Sequence, residues 1–298
     1  MKTPSSSIVL RNSGFKLLAL AVLVAAGSDL HAVVCREPVV TEITNASLQP
    51  PPTGPLTIVS LNMAGVTDYK RILKEIRGNS TLLAAGVLLL QEVLHENSTD
   101  GLLQNLSREL GVHAVFSSTT EPRTNGKVDG LALLSRYPIS DATAFGLPMF
   151  NLNVRSRCRH ALAATIAVPG IEPMRVFNVH LDTRINARNR VIQMGPIVAA
   201  AKGFSGPTVI GGDLNTNHMF WIGHMLFVPW AQDQHGPLDD MLSEHGFSTP
   251  MDGSKATHDQ LGLRIDWIYL RALTSTQWGV VPIEFSDHRA IWIRLDAE

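Results

Sequence analysis

The chain is short of cysteine, of excess charge and of long apolar runs, and each shortage narrows what the protein can be. It has only two cysteines, Cys35 and Cys158, and they lack the spacing of a metal site. In an oxidising compartment the two could pair across a long loop. Because Cys35 lies in a segment expected to be mobile, two unpaired thiols are the simpler expectation.

Positive and negative side chains are nearly balanced in number. The sequence carries 25 lysine and arginine residues against 26 aspartate and glutamate residues, a formal net charge of −1. A protein that binds nucleic acid tightly without sequence preference usually has an excess of basic residues. The composition therefore argues against such a protein, although a bound metal ion would add positive charge that the sequence does not count.

The apolar stretch near the amino terminus, residues 17–26, is too short to span a bilayer. Three basic residues and no acidic one precede it, which is the pattern of a secretory signal peptide. We therefore expect residues 1–32 to be a signal peptide and the protein to be exported, to the periplasm or the extracellular space. An organelle transit peptide and an uncleaved membrane anchor are the alternatives.

The rest of the chain is organised as one domain. Residues 33–55 are rich in proline and are expected to form an extended lead-in without a core of its own. No repeat, low-complexity array or Pro/Gly linker divides residues 56–298, so they are expected to form a single domain. Strands alternate with helices early and come one after another later, which predicts mixed sheets covered by helices.

Hydrophobic periodicity and capping residues place the individual elements. Helices are expected at about 68–77, 101–110, 186–201 and 237–246, and Pro196 is expected to kink the third or to start a new helix. Strands are expected at 56–61, 87–90, 112–117, 130–135, 161–168, 176–179, 208–210, 267–270 and 290–295.

Polar side chains recur where the expected strands end or begin. Some follow a strand and others precede one: the first are Asn62, Glu92, His180 and Asp213, and the second are Asp266 and the pair Asp287-His288. In a sheet with antiparallel neighbours, the end of one strand lies beside the start of the next. All these positions can therefore gather on one rim, where repulsion between the carboxylates requires a cation to offset it.

The segment Gly206–Thr216 carries the densest part of this pattern. A short β-branched run is broken by Gly211-Gly212 and followed by Asp213 and Asn215, whose side chains point to the same side of an extended chain. A carboxylate beside an amide can orient a water and hold a phosphate oxygen or a metal. Each such residue alone has an ordinary structural explanation, so the joint recurrence at strand ends carries the hypothesis.

Seven segments, read in order, form a recognisable set. They are LNM around Asn62, LLLQEV around Glu92, GLALLSRYPI from Gly130, FNVHL through His180, GGDLN through Asn215, RIDWIYL around Asp266 and FSDHRAIW around His288. With them, residues 56–296 resemble the endonuclease/exonuclease/phosphatase superfamily, which includes deoxyribonuclease-I-like nucleases, apurinic-site endonucleases, neutral sphingomyelinases and inositol-polyphosphate 5-phosphatases. The resemblance implies an α/β (α+β) four-layer sandwich, in which two mixed β-sheets pack face to face and are flanked by helices.

The resemblance also implies a divalent metal cofactor, Mg²⁺ or Mn²⁺. Glu92 would be its principal ligand with Asn62 beside it, and Asp287 would help to hold it from the other side. Mg²⁺ in proteins prefers one or two carboxylates together with waters and phosphate oxygens, which agrees with so short a ligand list.

The remaining polar positions would carry out an in-line displacement at phosphorus. By the resemblance, Asp213 would orient and deprotonate the attacking water, and Asn215 and His180 would bind the scissile phosphate. His288 would stabilise the developing charge or help the leaving oxygen, and Asp266 would orient His288.

Two regions outside these motifs bear on the substrate. Arg159, in a locally basic segment, and Asn178 are candidate substrate-binding residues, the arginine for a second phosphate or a head group. A solvated strand start explains the basic segment equally well. The run Met219–Trp230 contains aromatics that could stack on bases or touch lipid, but exposed apolar patches are rare, so we expect it to pack as core.

The sequence therefore predicts an exported, divalent-metal-dependent phosphoester hydrolase, and a phosphodiesterase of small or lipid-linked substrates is the preferred class. A secreted nuclease of the deoxyribonuclease type, acting on DNA or RNA, is the first alternative. A noncatalytic binding module on the same fold is the second. No protein partner is implied, and a monomer is expected.

Overall fold

The computed structural model describes residues 35–295, except 46, 52–53, 97, 121–122, 153–156, 223 and 229–231. The expected signal peptide, residues 1–32, lies outside this part of the chain. Within the described part, no helix combines the length and the apolar character needed to cross a membrane.

Strands make up most of the regular structure. They are β1 (Val39–Ile43), β2 (Leu56–Asn62), β3 (Val87–His95), β4 (His113–Ser118), β5 (Val128–Ser135), β6 (Ile139–Gly146), β7 (His160–Ile166), β8 (Met174–His180), β9 (Thr208–Asp213), β10 (Phe220–Ile222), β11 (Leu226–Val228), β12 (Asp266–Arg271), β13 (Ser275–Val281) and β14 (Ala290–Leu295).

Four of the described helices lie close to their expected bounds, and a fifth, the one-turn helix Ser80–Leu83, was not predicted. They are α1 (Tyr69–Gly78), α2 (Ser80–Leu83), α3 (Leu102–Leu110), α4 (Ala187–Lys202) and α5 (Gly236–Glu244). Asp68 caps α1 by accepting from two backbone N–H groups. α4 continues through Pro196, so no new helix begins there.

Two large sheets form the centre of the fold. Seven strands pair in the order β1-β4-β5-β3-β2-β14-β13 and five in the order β12-β9-β8-β7-β6, while β10 and β11 form a separate ribbon. Both large sheets are mixed, because β2 runs parallel to β3 and β8 runs parallel to β9 among antiparallel neighbours. The predicted architecture of two mixed sheets flanked by helices is confirmed.

Alternating side chains of the two sheets meet in one apolar layer. Ile58, Leu89 and Leu133 of the seven-stranded sheet belong to the same buried cluster as Ala163 and Phe177 of the five-stranded sheet, and α4 and α5 add residues to it. The other face of the seven-stranded sheet packs with α1 and α3 in a second cluster. The strand period of two therefore gives this sheet two buried faces.

The proline-rich lead-in contains a strand that was not predicted. β1 pairs antiparallel with β4, and its last residue, Ile43, is buried in the second cluster. Cys35 lies just before β1, 5.4 Å from Cys158 between Cα atoms, and the two cysteines form a disulfide. The expectation of unpaired thiols is wrong, because edge-strand pairing satisfies the backbone of a segment whose composition suggests mobility.

The apolar run Met219–Trp230 does not pack as core, contrary to expectation. Its described residues form the β10–β11 hairpin, in which Leu226 is 64% exposed. Each strand of the hairpin is three residues long and pairs within the ribbon, so the run does not extend either large sheet.

We expect Cys158→Ser to lower the free energy of unfolding by about 2–5 kcal/mol, because the disulfide restricts a long loop of the unfolded chain. Denaturant unfolding of the oxidised wild type and the variant measures the difference, and the reduced wild type is the control that should match the variant. Two reactive thiols in the unreduced, unfolded wild type would show that the bond does not form.

Candidate active site

Three neighbouring strands of the five-stranded sheet bring three polar side chains into one row. β8 and β12 flank β9, and the register pairs Asp213 with His180 on one side and with Asp266 on the other. All three residues lie at strand ends and are buried. The convergence expected from strand ends is therefore observed at the rim of this sheet.

The seven-stranded sheet supplies the facing half of the site. Asn62 ends β2, and its carbonyl accepts from Ser286 Oγ at 2.7 Å, which holds the turn before β14 against it. Asn62 Nδ2 donates to Asp213 Oδ2 at 3.0 Å. The same carboxylate oxygen is 3.3 Å from His180 Nε2 and 3.9 Å from His288 Nε2. One oxygen thus contacts or approaches groups from both sheets.

A β-bulge turns Glu92 toward the site. Leu90 and Val93 pack in the same outer cluster, although a regular strand would point residues three apart to opposite faces. Glu92 takes a positive φ of 50°, a conformation that is costly for a residue with a side chain. Its Oε1 lies 3.9 Å from His180 Nε2 of the other sheet. A regular strand would direct this carboxylate away from that sheet.

The chain leaves β9 in a conformation that requires glycine. Gly212 has a φ of 148°, and a Cβ there would lie 1.9 Å from Val179 O of the adjacent strand. Asn215 follows, and its backbone N–H donates to Asp213 Oδ1 at 3.0 Å. Its Nδ2 donates to Leu181 O at 3.0 Å. These two hydrogen bonds hold Asn215 beside the Asp213 carboxylate.

His288 and Asp266 form a buried pair between the two sheets. His288 Nδ1 lies 3.0 Å from one carboxylate oxygen of Asp266 and 3.3 Å from the other. With Nδ1 donating to Asp266, the other ring nitrogen of His288 faces Asp213. The contact expected between Asp266 and His288 is present.

Burial and neighbouring charges set the protonation of the site. Burial and repulsion from Asp266 raise the pKa of Asp213 to about 7. Burial alone would lower the pKa of His288, but the charge and hydrogen bond of Asp266, together with the charges of Asp213 and Asp287, outweigh burial and raise the pKa to about 10. Burial and the charge of Arg159 hold the pKa of His180 well below its ordinary value. At neutral pH, His288 is protonated, His180 is neutral and Asp213 is near its midpoint.

The donor set fits a hard divalent cation. Asp213 and Asp266 are buried carboxylates, and with Glu92 and Asp287 they bring more negative charge than one protonated histidine balances. The side chains of Glu92 and Asp287 are 33% and 36% exposed, so both can meet a hydrated ion such as Mg²⁺. Asn62 Oδ1 accepts one backbone N–H, which leaves it a lone pair for an ion.

His258 belongs to this rim but has no counterpart among the predicted residues. Backbone pairing with His288 brings it to the site, with ring centroids 5.0 Å apart. Its Nδ1 accepts from Leu261 N at 3.3 Å, so the proton of the neutral ring lies on Nε2, which is 3.6 Å from Asp287 Oδ2. Strand-end position could not identify His258, because it lies within the loop that precedes β12.

Asn178 does not line the site, contrary to the prediction that it binds substrate. It is 0% exposed, and its Nδ2 donates to Leu90 O at 2.9 Å and to Ala132 O at 2.8 Å on the other sheet. Its Oδ1 accepts from Gln91 Nε2 at 2.7 Å. Both polar atoms of the amide are engaged inside the protein, so Asn178 joins the two sheets beneath the site.

Arg159 lies enclosed beside the site and is partly engaged by an acidic neighbour. Its Nε donates to Asp182 Oδ1 at 3.2 Å, and only 10% of its side chain is exposed. Its Nη2 is buried without a hydrogen-bond partner among the described residues, so contact with a second phosphate or a head group stays a prediction. Its charge also acts on His180, whose pKa it helps to lower.

A buried network beneath the loops was not predicted. Arg190 is 0% exposed and donates to the carbonyls of Asp182, Ile185 and Leu214, where the chain leaves β8 and β9. Asp182 also exchanges hydrogen bonds with the Gln193 side chain. One arginine on α4 thus fixes the loops that follow His180 on β8 and Asp213 on β9. The sequence signal, a charged residue on the buried side of a helix, is visible only once that side is known.

Comparison with known families agrees with this geometry. Residues 59–288 match the model of the Endonuclease/Exonuclease/phosphatase family. The chain belongs to this family. Its members are phosphoester hydrolases, including nucleases and phosphatases, and typically depend on a divalent metal. No curated protein matches the chain by sequence.

Solved structures of the family share the fold at low identity. An endonuclease/exonuclease/phosphatase from Beutenbergia cavernae has a TM-score of 0.63 and 21% identity, over 82% of this chain and 72% of that one. The human Nocturnin catalytic domain has a TM-score of 0.58 and 16% identity, over 88% and 97%. A mannosyl-6-phosphatase from Bacteroides thetaiotaomicron has values of 0.57 and 15%, over 80% and 99%. These similarities establish the fold alone.

We expect Asn178→Ala to lower the free energy of unfolding by about 1–3 kcal/mol, because two carbonyls and the Gln91 amide lose a buried partner. The KM of the folded variant for bis-p-nitrophenyl phosphate should equal that of the wild type. A raised KM at unchanged stability would show that Asn178 does contact the substrate.

Proposed function

We propose that the protein is an exported, divalent-metal-dependent phosphodiesterase in which Asp213 activates a water for in-line attack on phosphorus. The observation that carries the proposal is the position of Asp213 Oδ2. This buried oxygen lies 3.0–3.9 Å from nitrogen atoms of Asn62, His180 and His288, which come from three different strands or turns.

Asp213 has the properties of a general base. Its pKa, raised to about 7 by burial and by Asp266, makes it a stronger proton acceptor than an ordinary carboxylate while leaving much of it ionised at neutral pH. The hydrogen bond from the Asn215 backbone to Oδ1 fixes the carboxylate plane. A water placed beside Oδ2 would lose its proton to this oxygen as it attacks.

His288 is the complementary acid. Its Nδ1 is held by Asp266, and the protonated ring directs Nε2 toward the same space that Asp213 faces. A proton on Nε2 can pass to the departing alkoxide or stabilise charge on the phosphate. Asp266 therefore acts as a positioning residue, since it holds the ring and keeps it protonated.

The remaining residues would hold the phosphate and the ion. The amide of Asn215 and the neutral ring of His180, which border the carboxylate, would bind phosphate oxygens, Asn215 through the second hydrogen of its Nδ2. Glu92, Asn62 and Asp287 would hold Mg²⁺ or Mn²⁺, which when bound would neutralise negative charge on the phosphate.

The available positive charge supports a diester over a monoester. A phosphodiester carries one negative charge, which a divalent ion and the protonated His288 can offset. A monoester dianion would need more positive charge, and Arg159, which lies near His180, is already paired with Asp182. Arg159 can therefore offer the second charge of a monoester only its remaining N–H groups, since its Nε is engaged by Asp182.

The disulfide supports export. Disulfides such as that between Cys35 and Cys158 persist in oxidising compartments and are rare in the cytosol of most organisms. The amino-terminal sequence has the pattern of a signal peptide, with the export that it implies.

The function is tested with purified mature protein on bis-p-nitrophenyl phosphate, p-nitrophenyl phosphate and plasmid DNA. We expect hydrolysis of the diester in Mg²⁺ or Mn²⁺, its loss in EDTA, and a fall in kcat of about 10²–10⁴-fold in Asp213→Asn. The control is Asp240→Asn, which changes an exposed carboxylate on α5. Plasmid cleavage faster than diester hydrolysis would reassign the protein as a nuclease, and a folded protein inert in every assay would indicate a binding module.

The pH dependence of kcat/KM should be bell-shaped. The rate should rise with pH as Asp213 loses its proton and fall in the alkaline range as His288 loses its own. A bound divalent cation should move both limbs below the metal-free pKa values of about 7 and about 10. His288→Gln should lower the rate and remove the alkaline fall. An unchanged alkaline limb in that variant would assign the acid to another group.

A further inference from the structure

The β10–β11 hairpin concentrates apolar side chains that the proposed chemistry does not use. Among the described residues, twelve large apolar side chains are exposed, and half of them lie in this hairpin: Phe220, Ile222, Met225, Leu226, Phe227 and Val228. Monomeric soluble proteins rarely expose a contiguous apolar patch that has no binding role. The other six are spread over the rest of the chain, so the hairpin is a distinct feature.

The exposed apolar groups surround the hairpin. In its register Phe220 pairs with Val228 and Ile222 with Leu226, so these four side chains share one face. Phe227 lies on the opposite face and is 47% exposed, and Met225 is exposed in the turn. A protein partner would cover one face of such a ribbon. Apolar groups on both faces and at the tip fit a fluid apolar layer that can receive the exposed parts of both faces at once.

The hairpin is anchored to the loops of the active site. Asn186, in the loop after β8, accepts from Trp221 N at 2.9 Å and donates to Trp221 O at 3.2 Å. At the other end, Gln234 donates to Met219 O and accepts from Arg190 Nε, the same arginine that holds the exits of β8 and β9. The hairpin is therefore tied to the loops that follow His180 on β8 and Asp213 on β9.

The charges around the hairpin suit an anionic surface. The only acidic residue between 183 and 232 is Asp213, which is buried, whereas Arg184 and Arg188 lie in the segment beside the hairpin. The Arg184 carbonyl is 2.9 Å from His224 Nδ1 in the turn. The hairpin residues include only two polar side chains, Trp221 and His224, whereas protein interfaces draw a large share of their area from polar groups.

We propose that the hairpin docks the protein on the surface of a phospholipid bilayer, with the active site facing the lipid headgroups. Docking is shallow, because the outer backbone groups of an edge strand such as β11 need water or headgroups as partners. On β10, the backbone N–H and carbonyl of Trp221 are already paired with the Asn186 side chain. This inference rests on the proposed function, and it identifies the substrate as the phosphodiester of a membrane lipid.

Docking is tested by sedimentation with vesicles of phosphatidylcholine and phosphatidylglycerol, using the Asp213→Asn protein so that no lipid is consumed. We expect the Asp213→Asn protein to partition onto the vesicles. Introducing Leu226→Ser and Phe227→Ser into it should weaken partitioning by at least about tenfold. The matched control adds Val39→Ser and Leu83→Ser, which change exposed apolar residues of β1 and α2 and should leave partitioning unchanged.

Hydrolysis of soluble bis-p-nitrophenyl phosphate separates this inference from the proposed function. A protein that carries Leu226→Ser and Phe227→Ser but keeps Asp213 should hydrolyse bis-p-nitrophenyl phosphate at the wild-type rate. It should lose activity only on vesicle lipid. Absence of vesicle binding, or equal binding by the hairpin and control variants, would overturn the docking proposal. So would a wild-type dimer in sedimentation velocity that the hairpin substitutions dissolve. A wild type that does not hydrolyse bis-p-nitrophenyl phosphate would overturn the proposed function and leave the vesicle-binding result intact.

Discussion

Two buried carboxylates, Asp213 and Asp266, stand opposite each other on adjacent strands, and the geometry of the site depends on keeping both there. Burying two such groups is unfavourable unless each finds hydrogen-bond donors. The Asn62 side chain and the Asn215 backbone donate hydrogen bonds to Asp213, and the His288 ring donates to Asp266. The donors come from both sheets, so the sheets must close correctly before the carboxylates are stabilised. The repulsion that remains adds to burial in raising the pKa of Asp213, which gives this carboxylate the strength of a base.

The scaffold tolerates local strain where the site needs it. Glu92 and Asn215 both take a positive φ, and conformations of this kind cost of order 1–3 kcal/mol each. Buried contacts on either side over-determine them: the Asn178 amide ties the two sheets just beneath the bulge, and Arg190 fixes the loops after β8 and β9. The strained backbone therefore persists because well-packed structure on both sides leaves it no alternative.

Strand-end chemistry could be predicted from the sequence because it depends on local pattern. The buried runs before Asn62, His180 and Asp213 are apolar and end abruptly, so both the strands and their polar ends are visible. Edge elements were harder, because β1, β6 and β13 mix exposed and buried positions and β1 sits among prolines. Pairing with a strand far along the chain stabilises β1, and no local pattern reports that partner.

The errors at the site have a common physical origin. Asn178 was assigned to substrate on residue type, but burial turns it into a bridge between the two sheets. His258 reaches the rim through a loop that folds back on His288, and the hairpin stays exposed although its composition is that of a core. In each case the tertiary environment, which composition does not report, decides the role.

The proposed mechanism requires Asp213 to be a base of raised pKa, and its neighbour Asp266 helps to raise that pKa. The most direct measurement is a pH titration of the Asp213 carboxyl carbon by NMR in metal-free protein, with the resonance assigned by its absence in Asp213→Asn. We expect a midpoint near 7, well above that of an ordinary aspartate. A midpoint near 4 in the folded protein would contradict the claim, because Asp213 would then have the proton affinity of an ordinary exposed carboxylate.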